Sequence, residues 1–256
     1  MTLTLVRHAT LVVELDGFRV LVDPMLDDAG ARPPIEGTPA QRRNPLVALP
    51  PNADELMAGI DAIAVTHLHA DHFDTAAAER LDHGLPLLCQ PADADTLRDR
   101  GFGDVRPVES SLAVGGIVVH RTGGRHGHGE MADRLGPVSG FVLEGVRRVY
   151  IAGDTVWCDD VADALVRYRP QVTVVNAGGA RFLEGRPITM DAADVIETAR
   201  AHPDGELVAV HMEAINHCLV TRADLRHALD EAGVAAWIPE DGETMLGDAG
   251  PDSSAG

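Results

Sequence analysis

"AVTHLHADHFD", residues 64–74, sets three histidines and two aspartates into eleven positions directly after an apolar run. The run "DAIAVT" (61–66) reads as a buried strand. Thr66 onward therefore leaves a sheet at the carboxyl end of a strand, where α/β proteins build their sites. In an extended segment, residues two apart point the same way, so His67 and His69 can address one metal ion. Asp71 and His72, at the turn into the next helix, can address another. Every buried polar group needs its own hydrogen-bond partner, and packing alone does not account for such a density of imidazole and carboxylate. Metal binding does.

A pair of ions needs more donors than this loop supplies, and three further places fit, each at the end of a strand. "TGGRHGHGE" (122–130) offers His126 and His128 in a glycine-rich loop, "YIAGDT" (150–155) offers Asp154, and "VAVHMEAINH" (208–217) offers His211, with His217 six residues on. Around these the chain opens with β-rich runs at 2–6, 10–15 and 18–23, the last two joined by the hairpin signal "LDGF". Strands follow at 61–66, 86–90, 105–108, 113–121, 138–144 and 147–154, with helices at 74–82 and 92–100. The chain then alternates: helix 158–168, strand 171–176, helix 190–201, strand 206–211, helix 221–232, strand 235–239. A meander followed by alternation predicts an α/β fold of two sheets face to face with helices outside, a four-layer αββα sandwich. We expect one domain over 1–246 and a frayed, small and polar tail over 247–256. Between strands, residues 27–51 carry six prolines and no periodicity. That is long for a mere connection and fits either a surface excursion or a wall over a site.

Composition narrows the function. Forty acidic against 21 basic residues, all of them arginine, leave a formal charge of −19. The absence of lysine excludes Schiff-base, P-loop and Ser-Lys chemistry, and the acidic balance without a basic run argues against a nucleic-acid partner. Cys89, Cys158 and Cys218 are odd in number and form no CxxC pair, which reads as a reduced, cytoplasmic protein whose cysteines are buried small hydrophobes. No apolar stretch approaches the length of a membrane helix. The expected partner is a small-molecule substrate, with homo-oligomerisation left open.

Taken together, "THLHADHFD", "RHG", "AGDT" and the strand-end His211 resemble the metallo-β-lactamase superfamily, whose signature is HxHxDH followed by His, Asp and His. The opening "VRHATLVVELDGFRVLVDPML" is similar to the branch of L-ascorbate-6-phosphate lactonase-like hydrolases and, more distantly, to N-acyl-phosphatidylethanolamine-type phospholipase D. The resemblance runs from Leu5 to about Glu243 and implies the αββα sandwich independently of the strand pattern. It makes His67, His69 and His126 ligands of a first metal and Asp71, His72 and His211 ligands of a second, with Asp154 bridging. His126 is preferred over His128 because "RHG" matches the short loop of the family; His217 either touches substrate or replaces His211.

Two divalent ions roughly 4 Å apart hold a bridging water whose pKa falls far enough to supply hydroxide at neutral pH, so no side-chain nucleophile is required. Asp71 and Asp154 are then the catalytic carboxylates, Asp71 also orienting the water or moving its proton. His, Asp and oxygen donors suit zinc, and also manganese or iron. The resulting expectation is a metal-dependent hydrolase of a small-molecule lactone or phosphoester. The rivals are an iron redox enzyme on the same sandwich (a persulfide dioxygenase or an oxygen reductase) and a non-catalytic metal-binding protein. Arg181 in "NAGGARF" reads either as a clamp on an anionic substrate or as a surface arginine. Asp23 and His8 each either end a strand or face the site. The loops 27–51 and 176–187 are where substrate choice should lie.

Overall fold

The N-terminal alternation forms three antiparallel strands in the computed structural model, which describes residues 1–246: β1 (Thr2–Arg7), β2 (Thr10–Leu15) and β3 (Phe18–Val22). Asp16 and Gly17 turn β2 into β3, both at positive φ (53° and 82°), as a two-residue hairpin requires. Past the proline-rich excursion and the single-turn helix α1 (Ala53–Leu56), the chain adds β4 (Ala62–Val65), α2 (Thr75–Arg80), β5 (Leu87–Cys89), α3 (Ala94–Asp99) and β6 (Val105–Pro107). These three strands join the same sheet in parallel.

A second sheet follows. It contains β7 (Ser111–Val114), β8 (Ile117–Thr122), β9 (Gly140–Glu144) and β10 (Arg148–Ile151) as an antiparallel meander, with α4 (Glu130–Leu135) inserted after β8. Crossovers through α5 (Asp159–Tyr168) and α6 (Ala192–Ala201) add β11 (Val172–Asn176) and β12 (Glu206–Val210) in parallel. After α7 (Arg222–Ala232), β13 (Thr244–Leu246) returns to the first sheet and pairs with β1. The sheet orders are β13-β1-β2-β3-β4-β5-β6 and β12-β11-β10-β9-β8-β7.

Strand alternation sorts the apolar residues into layers. Leu5, Val13, Val22 and Ala64 of the first sheet meet Val119, Phe141, Ile151, Val174 and Val210 of the second in one buried cluster. Ile63 and Val65, flanking Ala64, face the opposite way onto Ala77 and Leu97 of α2 and α3. Val142, Tyr150 and Ala209 likewise pack on α5, α6 and α7 through Leu165, Val195 and Leu225. Each fully buried aliphatic side chain stabilises such layers by about 1.5–3 kcal/mol. The four-layer αββα sandwich expected from the sequence is the observed architecture.

Two local expectations are corrected, and one element is added. Residues 113–121 are the arms of a hairpin rather than one strand, because Gly115 and Gly116 turn at positive φ and a Cβ at Gly115 would run into the Phe18 ring. Residues 235–239 make only a single bridge, Trp237 to Val208. The carbonyls of Ile238 and Pro239 instead accept hydrogen bonds from Arg226 and Arg222 of α7, which diverts the chain from the sheet. The short α4 starts at Gly129 with no side-chain cap, so no start signal marks it. The tail expected to fray, 247–256, lies outside the described residues.

Phe141, fully buried between the sheets, provides a test of this layering. Phe141→Ala should lower unfolding stability by about 3–5 kcal/mol in urea titration; a change below about 1 kcal/mol would place the ring outside a close-packed core.

Candidate metal centre

The histidine loop is organised by Asp23, which ends β3 in the left-handed region (φ 46°). Its Oδ1 accepts the Thr66 backbone N–H at 2.7 Å; its Oδ2 accepts the Thr66 hydroxyl at 2.7 Å and pairs with His72 Nδ1 at 2.8 Å. The His72 and Phe73 N–H groups both donate to the His69 carbonyl (2.9 and 3.0 Å), closing a turn that separates Asp71 and His72 from His67 and His69. Asp74 caps α2 by accepting the Ala77 N–H. On the other side of the turn, His67 Nε2 lies 2.9 Å from His69 Nδ1.

The distant residues arrive from the second sheet. His126 leaves β8, and its Nδ1 bonds the Ile188 carbonyl at 2.8 Å, which turns Nε2 inward. Asp154 follows β10 after Gly153, whose φ of 70° and close approach to the Ser139 carbonyl leave no room for a side chain. Asn176 at the end of β11 donates to Asp154 Oδ1 at 2.7 Å. His211, just past β12, has φ 68° and gives its N–H to the His8 carbonyl at 2.9 Å.

Two groups of donor atoms result, each within 4.8 Å of one another: His67, His69, His126 and Asp154, and His8, Asp71, His72 and His211. Asp154 stands between them. Its Oδ2 faces His126 Nε2 (3.6 Å) and His67 Nε2 (3.9 Å), while its Oδ1 faces the Nε2 atoms of His72 and His211 at 3.3 Å each. The Nε2 atoms of His72 and His211 are fully buried and make no hydrogen bond. Their spacing from the carboxylate exceeds the 2.7–2.9 Å of charge-assisted hydrogen bonds. It matches instead the roughly 3.4 Å edge of a tetrahedron of donors about 2.1 Å from a central ion. The residues fit a pair of divalent cations, with the carboxylate bridging.

The electrostatics of the cluster mark a place for positive charge: burial lowers His72, but Asp154 and Asp23 outweigh it and hold its imidazole well above the usual value. Burial would raise Asp154, but facing His211, His72 and His126 hold its carboxyl well below the usual range. Asp71 behaves likewise: burial would raise it, but the facing imidazoles of His211 and His8 outweigh burial and hold it well below the usual range. Burial, reinforced by neighbouring His72, pushes His67 well below the usual imidazole value, so it presents a neutral nitrogen. Both carboxylates are ionised and His67 is neutral at physiological pH, the protonation that cation ligands need.

Other residues named from the sequence separate cleanly. His128 is half-buried beside Arg125 and Arg186 and stays out of both groups, because Gly127 (φ 91°) turns the chain between it and His126. Arg181 is exposed and does not line the cavity over the centre; its neighbour Phe182 takes that wall, and the Arg181 N–H is bound to the His217 carbonyl. Neither Arg181 nor His128 is among the residues that line the cavity. His217 is buried and lines the cavity beside Asp71 and Asp154, while His211 enters the donor group.

Several participants carry no motif. His8, at the β1–β2 turn (φ 62°), has Nε2 3.3 Å from Asp71 Oδ2 and its ring 3.6 Å from that of His211. Cys218, expected as a plain hydrophobe, places Sγ 3.5 Å from His211 Nδ1. Asn216 is the hub of the proline-rich excursion. It bonds both the N–H and the carbonyl of Ile35, the Thr38 hydroxyl, the Ala40 carbonyl and the Asn44 side chain. Buried Arg7 holds the same excursion from beneath through the Met25, Asp27 and Val47 carbonyls. Residues 27–51 therefore form a fixed wall: Arg32, Ile35 and Asn44 line the cavity.

Against known proteins, the family described as "Beta-lactamase superfamily domain" matches residues 18–212. UPF0173 protein YddR of Bacillus subtilis is 36% identical over 251 residues, covering 95% of this chain and 99% of its own length. The chain belongs to the metallo-β-lactamase superfamily, in the UPF0173 family. Two solved structures resemble this one closely. A possible metal-dependent hydrolase from Veillonella parvula superposes with a TM-score of 0.93 at 35% identity, covering 96% of this chain and 98% of that one. An isothiocyanate hydrolase from Delia radicum gut bacteria superposes with a TM-score of 0.91 at 38% identity, covering 97% and 100%.

Two outcomes test the centre. Asp154→Ala should lower zinc content from about two equivalents per chain to one or fewer by elemental analysis; an unchanged content would remove Asp154 from the bridge. Asn216→Ala strands several buried polar groups of the excursion at about 1–3 kcal/mol each. Hydrogen exchange of residues 32–46 should accelerate at least tenfold, and unaltered protection would contradict the hub role.

Proposed function

We propose that this UPF0173 member is a metal-dependent hydrolase of small, uncharged carbon electrophiles, with isothiocyanates as the leading substrate class. The observation that carries the reading is the cavity over the donor groups. It encloses ≈ 240 Å³, has His69, Asp71, His126 and Asp154 among its lining, and is walled by Ile35, Leu135, Phe182, Ile188 and Ile215. Such walls hold an apolar substituent and exclude bulk water, which strengthens every charge interaction at the reacting centre. Arg32 also lines the cavity; its Nε lies 2.8 Å from Asp27, while its Nη2 is buried without a hydrogen-bond partner. A phosphoester, the other half of the expectation from sequence, would meet this single arginine, whereas most of the wall is apolar. The activity named for the Delia radicum gut relative, at 38% identity over nearly the whole chain, supports the same choice.

Bound divalent ions, zinc first by the donor set and manganese or iron otherwise, would lower the pKa of a water to supply a nucleophile at neutral pH and stabilise charge on the electrophile. The chain supplies the rest. Asp154 and Asp71 stay ionised and are positioned to orient the attacking water and take its proton. The wall residues direct the central carbon of R–N=C=S toward that floor. The new C–O bond forms at this carbon, the C–N bond breaks, and water's two protons end on nitrogen, giving R–NH₂ and carbonyl sulfide. A lactone, the expectation raised by the resemblance to L-ascorbate-6-phosphate lactonase-like hydrolases, presents the same kind of carbon and is the second reading.

The zinc-loaded protein should convert benzyl isothiocyanate to benzylamine, lose that activity on chelation and regain it with zinc. Turnover equal to buffer alone, with lactones hydrolysed instead, would reverse the order of the two readings.

A further inference from the structure

His217 is a titratable imidazole of the cavity that the donor groups leave unused. It is 5% exposed, it lines the cavity, and it belongs to neither donor group. Its surroundings are rigid: Asn216 is locked into the excursion, the His217 carbonyl accepts the Arg181 N–H at 3.1 Å, and the Phe182 ring lies 6.4 Å away. Its Nδ1 is fully buried with no hydrogen-bond partner, which leaves Nε2 as the nitrogen turned to the cavity. An orphaned buried N–H is rarer in folded proteins than an orphaned acceptor. The tautomer with its proton on Nε2 leaves only an acceptor orphaned and puts the donor on the side from which a ligand is reached. Burial pushes the imidazole down to about 4, with Asp71 opposing and His211 reinforcing the shift, so the ring is neutral at physiological pH.

Resting on the hydrolytic reading above, we propose that His217 is a further catalytic residue: its Nε2–H is a fixed hydrogen-bond donor to the heteroatom that gains negative charge as the substrate's central carbon is attacked. His217 lines the same cavity as the carboxylates and imidazoles of the donor groups and offers a neutral donor for the departing end of the molecule. A neutral imidazole does not surrender its proton there. It stabilises charge on the nitrogen of an isothiocyanate, or on the alkoxide oxygen of an ester, until the proton released by the attacking water arrives. Preorganised donors of this kind are worth most in a water-excluded site. The donor also favours substrates whose departing atom is basic and needs such help.

The experiment compares zinc-loaded wild type with His217→Phe and His217→Gln on two substrate series, substituted phenyl isothiocyanates and substituted phenyl acetates. Each series is graded in the basicity of the departing nitrogen or oxygen. His217→Phe should lose about 10²–10³ in kcat on the poorest leaving groups and far less on 4-nitrophenyl acetate. KM should stay within about threefold and zinc content at the wild-type level. His217→Gln, whose amide still donates, should recover about tenfold. A leaving-group slope equal to wild type, a loss carried by KM, or loss of zinc would each overturn the proposal. Wild-type turnover of acetates alone would sink the isothiocyanate reading and still decide His217 from the slope; a wild type inert on both series would sink both.

Discussion

Everything at the centre depends on one buried carboxylate. Asp154 is 2% exposed, and its two oxygens face two different histidine groups delivered by both sheets. An ionised carboxylate so deeply buried is tolerated only where cations or strong donors surround it. Here the surroundings are imidazole nitrogens, two of them without any hydrogen-bond partner. Gly153 lets the backbone pass close to Ser139, and Asn176 fixes one oxygen. Moved by one residue, Asp154 would face only one group, and the two halves of the site would no longer share a ligand.

The sandwich explains why these residues can meet. Strand ends from two sheets converge along one edge, beyond a core in which Val22, Ala64, Ile151 and Val210 pack together. The polar groups are left to the loops beyond those ends. The wall of the cavity is built differently, from an irregular excursion held by Arg7 beneath and Asn216 at its side. Such a wall can change in sequence without disturbing the donor groups, which suits a superfamily where loops choose the molecule.

Much of this is legible in the chain, and the division has a physical basis. His67, His69, Asp71 and His72 sit in one local pattern, and His126, Asp154 and His211 each end a strand that alternation reveals. The αββα layering follows from the same alternation. What stays hidden is whatever depends on pairing across long stretches of chain. His8 meets Asp71 over 63 positions, Asn216 bonds residues more than 170 positions away, and buried Arg7 is indistinguishable in sequence from a surface arginine. Arg181 stays open in sequence for the same reason: only the fold shows that Phe182, and not the exposed Arg181, lines the cavity. Short elements escape because six residues without a cap, as in α4, carry too little periodicity.

The most direct measurement is anomalous diffraction at the zinc edge from crystals of the zinc-loaded protein. The account requires two peaks, one on each side of the Asp154 carboxylate and roughly 4 Å apart, the first against His67, His69 and His126, the second against Asp71, His72 and His211. A single peak, or two peaks not separated by that carboxylate, would contradict it.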